Sequence, residues 1–140
     1  QSMAWYKEAS GAILSAAVAD YRPKSPAGHK IKSKDENLVV ELEPNPDIAY
    51  ELGKLKQPWQ FLAGFALETH NELQHAREKM KKKNFDFIVL NSLQDKGAGF
   101  ISDTNKITIV GKDNKTWDFE LKSKKETALD IIQYLESIMP

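Results

Sequence analysis

The sequence predicts an α/β fold, a mainly parallel, Rossmann-like three-layer sheet with helices on both faces and a late β-hairpin. Three continuous apolar runs of strand length, at 12–18, 60–67 and 87–90, alternate with helical patterns. Strands separated by helices pair in parallel, and the helices then cover both faces of the sheet. Alternating segments at 107–110 and 117–121 flank a polar turn and predict the hairpin.

The first part of the chain combines a buried strand with long polar connections. Residues 3–9 have the pattern of the end of a helix that stops near Gly11. The run at 12–18 predicts a strand buried on both faces, and a loop over 21–37 follows it. Alternation at 38–43 predicts a more exposed strand.

Turn residues and capping patterns define the helices of the central part. Asn45 or Asp47 is placed to cap a helix that runs to about Lys56, with Pro46 at its start. Thr69 is placed to cap the next helix, to about residue 83. The inner face of that helix is expected to carry Leu73, Ala76 and Met80.

The last helix has the strongest sequence pattern. Ser123 and Glu126 form a capping box at its start, because a serine is followed three residues later by a glutamate. The expected apolar stripe consists of Ala128, Ile131, Ile132, Leu135, Ile138 and Met139.

Composition bounds the class of protein. The 140 residues suit one domain, with 41% apolar and 29% charged residues. The formal net charge is +0, so neither nucleic acid nor a membrane is an expected partner. The chain has no cysteine, no signal-peptide pattern and no apolar run near ~18 residues, which favours a cytoplasmic setting. Because it opens on Gln1, we expect a piece of a longer polypeptide and a fragment of a larger domain.

Polar side chains follow each of the three buried strands. They are Asp20 and Arg22, then Glu68 and Thr69, then Asn91 and Ser92. Because ligands bind at the carboxyl ends of parallel strands, we expect these groups to converge at one edge of the sheet.

A lysine-rich run at 30–34 lies in the loop after the first strand, and proline and glycine residues precede it in that loop. Such a loop is suited to closing over a polyanion such as a triphosphate. Alone, the run slightly favours a solvated loop. A second basic cluster at 79–83 ends a predicted helix, where cations usually complement the helix dipole.

Several common sites are not supported. His29, His70 and His75 are not grouped with carboxylates at ligand spacing, so a histidine metal site is not expected. The sequence contains no GxGxxG, GxxxxGK[ST] or GxSxG motif, which argues against the common dinucleotide, P-loop and serine-hydrolase sites.

Taken together, several motifs resemble the phosphopantothenoylcysteine synthetase domain, the second half of a bacterial bifunctional coenzyme A biosynthesis protein. The motifs are AAVADYRP, KIKSK, NPDI, GFALET, AREKMKKKNFD, NSL and GFISDTN, and they occur in family order over nearly all of the chain, 1–140. The resemblance implies a ligase that joins 4′-phosphopantothenate to cysteine. The implied co-substrate is CTP, which forms an acyl-cytidylate, with Mg²⁺ neutralising the phosphates.

The resemblance also implies roles for particular residues. Lys30 is the implied catalytic flap lysine, and Asp20 is expected to contact the nucleotide. The remaining expected nucleotide-binding residues are Leu14, Ser15, Ala16, Pro46, Asp47, Ile48, Ala49, Phe65, Lys79 and Lys83. No metal ligand is assigned.

The family's glycine-containing nucleotide-binding stretch and its intermediate-binding asparagine are not in this sequence. We therefore expect a companion N-terminal part, and a fragment that is inactive alone. The resemblance implies a homodimer, with the late hairpin as the expected contact, and suggests a fused FMN-dependent decarboxylase domain. Two alternatives stay open: a nucleotide-binding regulatory module of the same fold, and an NAD-dependent Rossmann-like reductase.

Overall fold

The computed structural model describes residues 1–32, 37–68, 71–92 and 103–139. The elements are α1 (Ser2–Tyr6), β1 (Gly11–Leu14), β2 (Tyr21–Pro23), β3 (Leu42–Pro44), α2 (Ile48–Leu55), β4 (Phe61–Glu68), α3 (Glu72–Lys83), β5 (Phe87–Ser92), β6 (Thr104–Asn105), β7 (Ile107–Gly111), β8 (Thr116–Asp118), β9 (Lys122–Ser123) and α4 (Lys124–Ile138). They fall into two compact units, Gln1–Ser15 with Ile48–Pro140, and Ala16–Asp47. Within the described ranges, every helix is too short or too polar to span a bilayer.

The larger unit is built on a five-stranded sheet with the order β1-β4-β5-β7-β8. The first three of these strands pair in parallel, whereas β7 and β8 add on as an antiparallel hairpin. Phe65 of β4 lies opposite Val89 of β5, and Val89 lies opposite Ile109 of β7. The predicted α/β class, the mainly parallel sheet and the late hairpin are confirmed.

Helices cover both faces of this sheet, as predicted. On one face, side chains of α1, α2 and α3 pack with alternate residues of the strands: Tyr6, Leu52, Ala76, Met80, Leu62, Ala66 and Ile88. On the other face, α4 packs with the intervening residues: Ala63, Phe87, Val89, Ile107, Ile109, Ile131 and Tyr134. Because side chains of a strand alternate between faces, β4 directs Leu62 to the first core and Ala63 to the second.

The first strand is shorter than predicted. The apolar run predicted a buried strand over 12–18, but β1 ends at Leu14 and is only half-buried, and residues 15–20 are exposed. The strand pairs with β4 only from Gly11 to Leu14. The three alanines that follow carry little apolar surface, so extending the strand over them would gain little free energy.

Two helical faces also differ from the predictions. Leu73 was expected on the inner face of α3, but it is 41% exposed, while Ala76 and Met80 are buried as predicted. On α4, Ile132 and Ile138 of the expected stripe are 44% and 41% exposed.

The buried face of α4 is rotated relative to the expected stripe. It is carried by Thr127, Ile131 and Tyr134. Tyr134 was not part of the expected apolar stripe, but its ring packs into the sheet core. A tyrosine can bury its ring while its hydroxyl stays near polar groups.

The smaller unit, Ala16–Asp47, contains an antiparallel ribbon of β2 and β3. The sequence predicted an exposed strand over 38–43, of which β3 covers only the end, whereas β2 lies within the loop predicted over 21–37. Strands β2 and β3 pair with Arg22 opposite Glu43, and Arg22 forms a 2.7 Å ion pair with that glutamate. The side chain of Asn45 donates to the Ala19 carbonyl at 2.7 Å and so closes the base of the ribbon. Asn45 was one of the two residues expected to cap the following helix, but its side-chain amide donates to Ala19 in the ribbon. Every described residue of this unit is exposed or half-buried.

The capping box predicted for α4 is confirmed. The Glu126 amide donates to Ser123 Oγ at 3.2 Å, and the Ser123 amide donates to Glu126 Oε2 at 3.0 Å. The Ser123 hydroxyl also donates to the same carboxylate oxygen. Hydrogen bonds from the Ser123 side chain and then its backbone lower the pKa of Glu126 below its usual value.

We expect Ser123→Ala to destabilise the larger unit by about 1 kcal/mol at neutral pH, as is typical of N-cap losses. Because the pKa of Glu126 is lowered by folding, its contribution is present above the unfolded pKa and is lost as the pH falls through the folded pKa. The effect of Ser123→Ala should therefore be smaller at an acidic pH, below the folded pKa of Glu126, than at neutral pH. Urea unfolding at both pH values measures it, with Ser137→Ala on the same helix as the control. Equal losses at both pH values would contradict the role of Glu126.

Candidate functional site

A cleft lies at the carboxyl edge of the parallel strands, on the face covered by α4. Its volume is about 260 Å³. The lining residues come from the ends of β1, β4, β5 and β6 and from the first half of α4: Ser15, Phe65, Leu67, Asn91, Asn105, Lys124, Thr127, Ala128 and Ile131. This is the position at which open α/β sheets bind their ligands.

The cleft has an apolar floor and a polar side. Phe65 packs against the second core beside Ile131, so the ring is half-buried and held in place. On the polar side, Asn105 Nδ2 donates to Asn91 Oδ1 at 3.2 Å. The side-chain oxygen of Asn105 itself, Oδ1, is buried and has no hydrogen-bond partner among the described residues. The cleft can therefore take a ligand with a flat apolar part and hydrogen-bonding groups.

The structure brings only some of the predicted site residues together. Ser15 and Phe65 both line the cleft, and Asn91 joins them from the third predicted strand. Leu14 precedes Ser15 but packs against the first core, as does Ala49 near the start of α2. Ile48, the first residue of α2, is 36% exposed.

The other predicted site residues from the first half of the chain belong to the smaller unit. Ala16, Asp20, Lys30, Pro46 and Asp47 are all exposed there. Asp20 was expected at the end of the first strand, but that strand ends six residues before it. Its backbone carbonyl accepts a hydrogen bond from the Asn45 amide at 2.7 Å, so Asp20 lies at the base of the ribbon.

Part of the basic loop is neutralised within the smaller unit. Lys24 Nζ lies 2.9 Å from Glu41 Oε1, beside the ion pair of Arg22 and Glu43. Lys30 and Lys32 are exposed, and neither has an ion-pair partner within the described part of the chain. Residues 33–36, which complete the lysine run, lie outside the described residues. The positive charge available to a ligand is therefore concentrated at Lys30 and Lys32.

The second basic cluster lies on the other face of the sheet from Phe65. Lys79 and Lys83 are in the second half of α3, whose Ala76 and Met80 pack into the first core, whereas Phe65 packs into the second. The end of α3 adjoins α2, where Asn84 Nδ2 donates to the Gly53 carbonyl at 3.0 Å. The larger unit therefore does not bring these two lysines to the cleft around Phe65.

Sequence reasoning missed six of the nine lining residues, three of which are polar. Asn105 arrives through the two-residue strand β6, which pairs with β9 rather than with the main sheet. Lys124 and Thr127 sit on the first turns of α4, where the capping pattern suggested only a structural role. The GFISDTN motif was the one available indication for Asn105. Thr69 and residues 93–102, which the predictions also used, lie outside the described residues.

A protein-only metal site is not supported by the described residues. Among them, no three His, Cys, Asp or Glu side chains lie close enough together to hold an ion. Mg²⁺ commonly binds through substrate phosphates and only one or two protein carboxylates, so it does not require such a cluster.

The sheet, its two helical layers and the cleft at the carboxyl edge define a Rossmann-like α/β ligand-binding protein. The family model for the DNA/pantothenate metabolism flavoprotein C-terminal domain matches residues 1–139. The chain belongs to this family.

Individual relatives agree with this assignment. Over 134 residues, 96% of this chain, it is 50% identical to a cysteine/cysteine sulfinic acid decarboxylase from an unknown prokaryotic organism. Over 126 residues, 90% of the chain, it is 40% identical to the coenzyme A biosynthesis bifunctional protein CoaBC of Bacillus subtilis. The chain spans 37% and 31% of the lengths of these two relatives.

A solved structure extends the agreement to the fold. The crystal structure of the C-terminal domain of a CoaBC protein superposes with a TM-score of 0.73 at 36% identity. The match covers 97% of this chain and 60% of that chain. The 140 residues therefore have the fold of part of that solved domain.

Proposed function

We propose that this chain is part of a phosphopantothenate–cysteine ligase that acts in coenzyme A biosynthesis. One observation carries the proposal: 97% of the chain matches the solved C-terminal domain of a CoaBC protein at 36% identity. The carboxyl-edge cleft supports it, since it has the apolar floor and hydrogen-bonding groups that a nucleotide or an acyl intermediate needs.

The proposed reaction has two steps. The carboxylate of 4′-phosphopantothenate attacks the α-phosphate of CTP, and pyrophosphate leaves as the acyl-cytidylate forms. The amine of cysteine then attacks the acyl carbon, CMP leaves, and the amine loses a proton as the amide forms. The first step concentrates negative charge on the phosphates, which cations stabilise in the transition state.

Residues of both units have proposed parts in these steps. Lys30 is the catalytic cation of the first step, and its exposed ammonium is suited to meeting a triphosphate. Asp20 contacts the nucleotide. Following the family resemblance, the backbone of residues 14–16 contacts the base, and the turn at 46–49 contacts the nucleotide. Lys79 and Lys83 stay in the proposal as phosphate contacts, although their position on α3 gives them the weakest support.

Mg²⁺ accompanies CTP in this proposal and is held mainly by the phosphates. When bound, it neutralises charge on the triphosphate. We assign FMN no part in this segment, because the family resemblance places it only in a fused decarboxylase domain. We also propose a cytoplasmic location, in keeping with a chain that contains no cysteine.

We propose a homodimer as the working form. The smaller unit supports this, because Val39, Leu38 and Val18 are 89%, 66% and 56% exposed. The late hairpin, the expected contact, has less support: β8 is a three-residue strand that carries Asp118, and short charged strands discourage edge pairing. Light scattering on the full-length protein tests the dimer, and a monomer at micromolar concentration would contradict it.

An activity assay on the full-length protein separates the candidate functions. The ligase releases pyrophosphate only when CTP, Mg²⁺ and 4′-phosphopantothenate are all present, and then consumes cysteine. CTP binding without pyrophosphate release would favour the regulatory module, and hydride transfer to a nicotinamide would favour the reductase. The decarboxylase name of the 50% identical relative describes a protein of which this chain spans 37%. It therefore does not locate a decarboxylase activity in this segment.

We expect Phe65→Leu to weaken CTP binding by about tenfold, because a leucine keeps the apolar volume but removes the ring that stacks on the nucleotide. The unfolding temperature should change little, since the substitution nearly conserves volume at a half-buried site. Calorimetric titration with CTP and Mg²⁺ measures the affinity. Phe119→Leu, in the same core but outside the cleft, is the matched control. Equal losses in both variants would contradict a role for Phe65 in stacking.

A further inference from the structure

A second cleft lies at the amino edge of the sheet, on the face covered by α4. Its volume is about 530 Å³. Four of its twelve lining residues are aromatic: Trp59 and Phe61 around the start of β4, Trp117 of β8 and Tyr134 of α4. Cavities of this size with aromatic walls are typical of small-molecule sites. The proposed nucleotide cleft lies at the opposite edge, so this one is not part of it.

One wall of the amino-edge cleft is rigid. The rings of Trp117 and Tyr134 pack with centroids 4.7 Å apart, and Tyr134 also makes an edge contact of 5.2 Å with Phe87. Gly111 allows this packing, because a Cβ there would lie 2.6 Å from Tyr134 Oη and 3.0 Å from the Trp117 ring. The aromatic surface is therefore formed before any ligand arrives.

The same cleft also exposes apolar groups to solvent. Trp59 is 55% exposed and Ile138 is 41% exposed, and both line the cleft. An exposed indole beside a fixed aromatic wall is a favourable surface for a flat ring, because stacked aromatic pairs are stabilised beyond the area that they bury.

Two of the polar groups that line the cleft are already fully engaged. The Gln60 amide donates to the carbonyls of Tyr6 and Ala9, and its oxygen accepts from the Gln57 amide. Asp86 accepts two 2.8 Å hydrogen bonds from Lys56 and one from the Leu62 amide. Neither is available to recognise a ligand.

Of the other polar groups, one stands out. Asp113 pairs with Lys115 Nζ at 2.9 Å, and the Ser137 hydroxyl donates to the Tyr134 carbonyl at 2.6 Å. Lys112 Nζ, by contrast, lies 3.7 Å from Asp86 Oδ1, beyond hydrogen-bond distance, and its side chain is 64% exposed. Lys112 is the one basic residue that lines this cleft, and its only ion-pair contact there is the long one to Asp86, so its exposed ammonium can pair with an anion.

We propose that the amino-edge cleft binds a small planar aromatic molecule that carries one anionic group, such as an aromatic carboxylate. The ring stacks on the surface formed by Trp59 and Trp117, and the anion pairs with Lys112. The chemistry of the lining selects this class of ligand: the walls are aromatic, and the one weakly engaged charge is positive. The proposal is independent of the ligase function.

The test uses protein labelled with ¹⁵N-tryptophan and titrated with 2-naphthoate, followed by the indole N–H signals. Trp59→Phe and Trp117→Phe variants assign the signals. The signals of Trp59 and Trp117 should shift saturably at millimolar 2-naphthoate. The signal of Trp5, which is 76% exposed and outside the cleft, should stay in place.

Charge and stacking are tested separately in the same titration. Lys112→Ala and the uncharged analogue 2-naphthamide should each weaken binding about two- to fivefold, the size expected of one exposed charge pair. Trp59→Ala should weaken it about tenfold. Lys125→Ala, an exposed lysine on the first turn of α4, is the control and should change nothing. The proposal is overturned by the absence of a saturable shift at Trp59 and Trp117, by an equal shift at Trp5, or by unchanged affinity in Lys112→Ala.

Discussion

Replacing Asp86 with alanine is expected to destabilise the larger unit by about 3–5 kcal/mol, the cost of leaving a buried charge without its partner. The charge left behind is that of Lys56, whose side chain is only 8% exposed. Lys56 Nζ lies 2.8 Å from both carboxylate oxygens of Asp86 and also donates to the Asn84 carbonyl. With the carboxylate gone, a single carbonyl remains to compensate the ammonium.

Asp86 also connects three strands of the sheet. Its carboxylate accepts from the Leu62 amide of β4, and its own amide donates to the Leu62 carbonyl, both at 2.8 Å. Its carbonyl accepts from the Lys112 amide, just after β7, at 3.0 Å. The alanine variant therefore leaves the Leu62 amide without its side-chain acceptor, which adds to the loss.

A double-mutant cycle in urea isolates the ion pair. Lys56→Met alone should cost less than Asp86→Ala, because Asp86 is 22% exposed and keeps the Leu62 amide as a donor. The double variant Lys56→Met/Asp86→Ala should be more stable than the sum of the two single losses predicts, by about 1 kcal/mol or more, the usual coupling of contacting residues. Lys112→Ala is the control, because Lys112 Nζ has only a 3.7 Å contact with Asp86 Oδ1. Strictly additive losses would show that the pair is not coupled.

The sheet was predictable because its central strands are buried on both faces. Continuous apolar runs therefore located β4 and β5, and the capping box located the start of α4. The ribbon of β2 and β3 has no such pattern, since its pairing depends on the Arg22–Glu43 ion pair and the Asn45 amide. These two contacts join residues that are 21 and 26 positions apart in the sequence. They therefore produce no local periodicity from which the ribbon could be predicted.

The cleft was only partly predictable for a related reason. The rule that ligands bind at the carboxyl ends of strands selected Asn91, which lines the cleft, but it also selected Asp20, which lies in the smaller unit. Ser15 lines the cleft too, and it was expected only from the family resemblance. Asn105 reaches the same cleft through the two-residue strand β6. Thr127 reaches it through α4, which follows the hairpin in the sequence. Their convergence is a property of the packed core, and spacing along the chain does not encode it. The roles of Lys30 and Asp20 in turn rest on family resemblance, and they stay predictions.

Lys30→Gln is expected to reduce phosphopantothenate-dependent pyrophosphate release by about 10²-fold in the full-length protein. This is the scale of losing one group that stabilises developing charge in a transition state. Stability should be almost unchanged, because Lys30 is exposed and every described residue of its unit is exposed or half-buried. Initial rates at saturating CTP, together with the unfolding temperature, measure the two effects separately.

Lys24→Gln is the matched control for this prediction. Lys24 lies six residues earlier in the same unit, has a similarly exposed ammonium, and is paired with Glu41 at 2.9 Å. If Lys30 acts through a specific contact with the triphosphate, Lys24→Gln should retain most of the activity while Lys30→Gln loses it. If the loop acts only through its net positive charge, both variants should lose activity to the same extent and both losses should diminish with added salt, because screening weakens exposed charges. That second pattern would contradict the assignment of Lys30 as the catalytic cation.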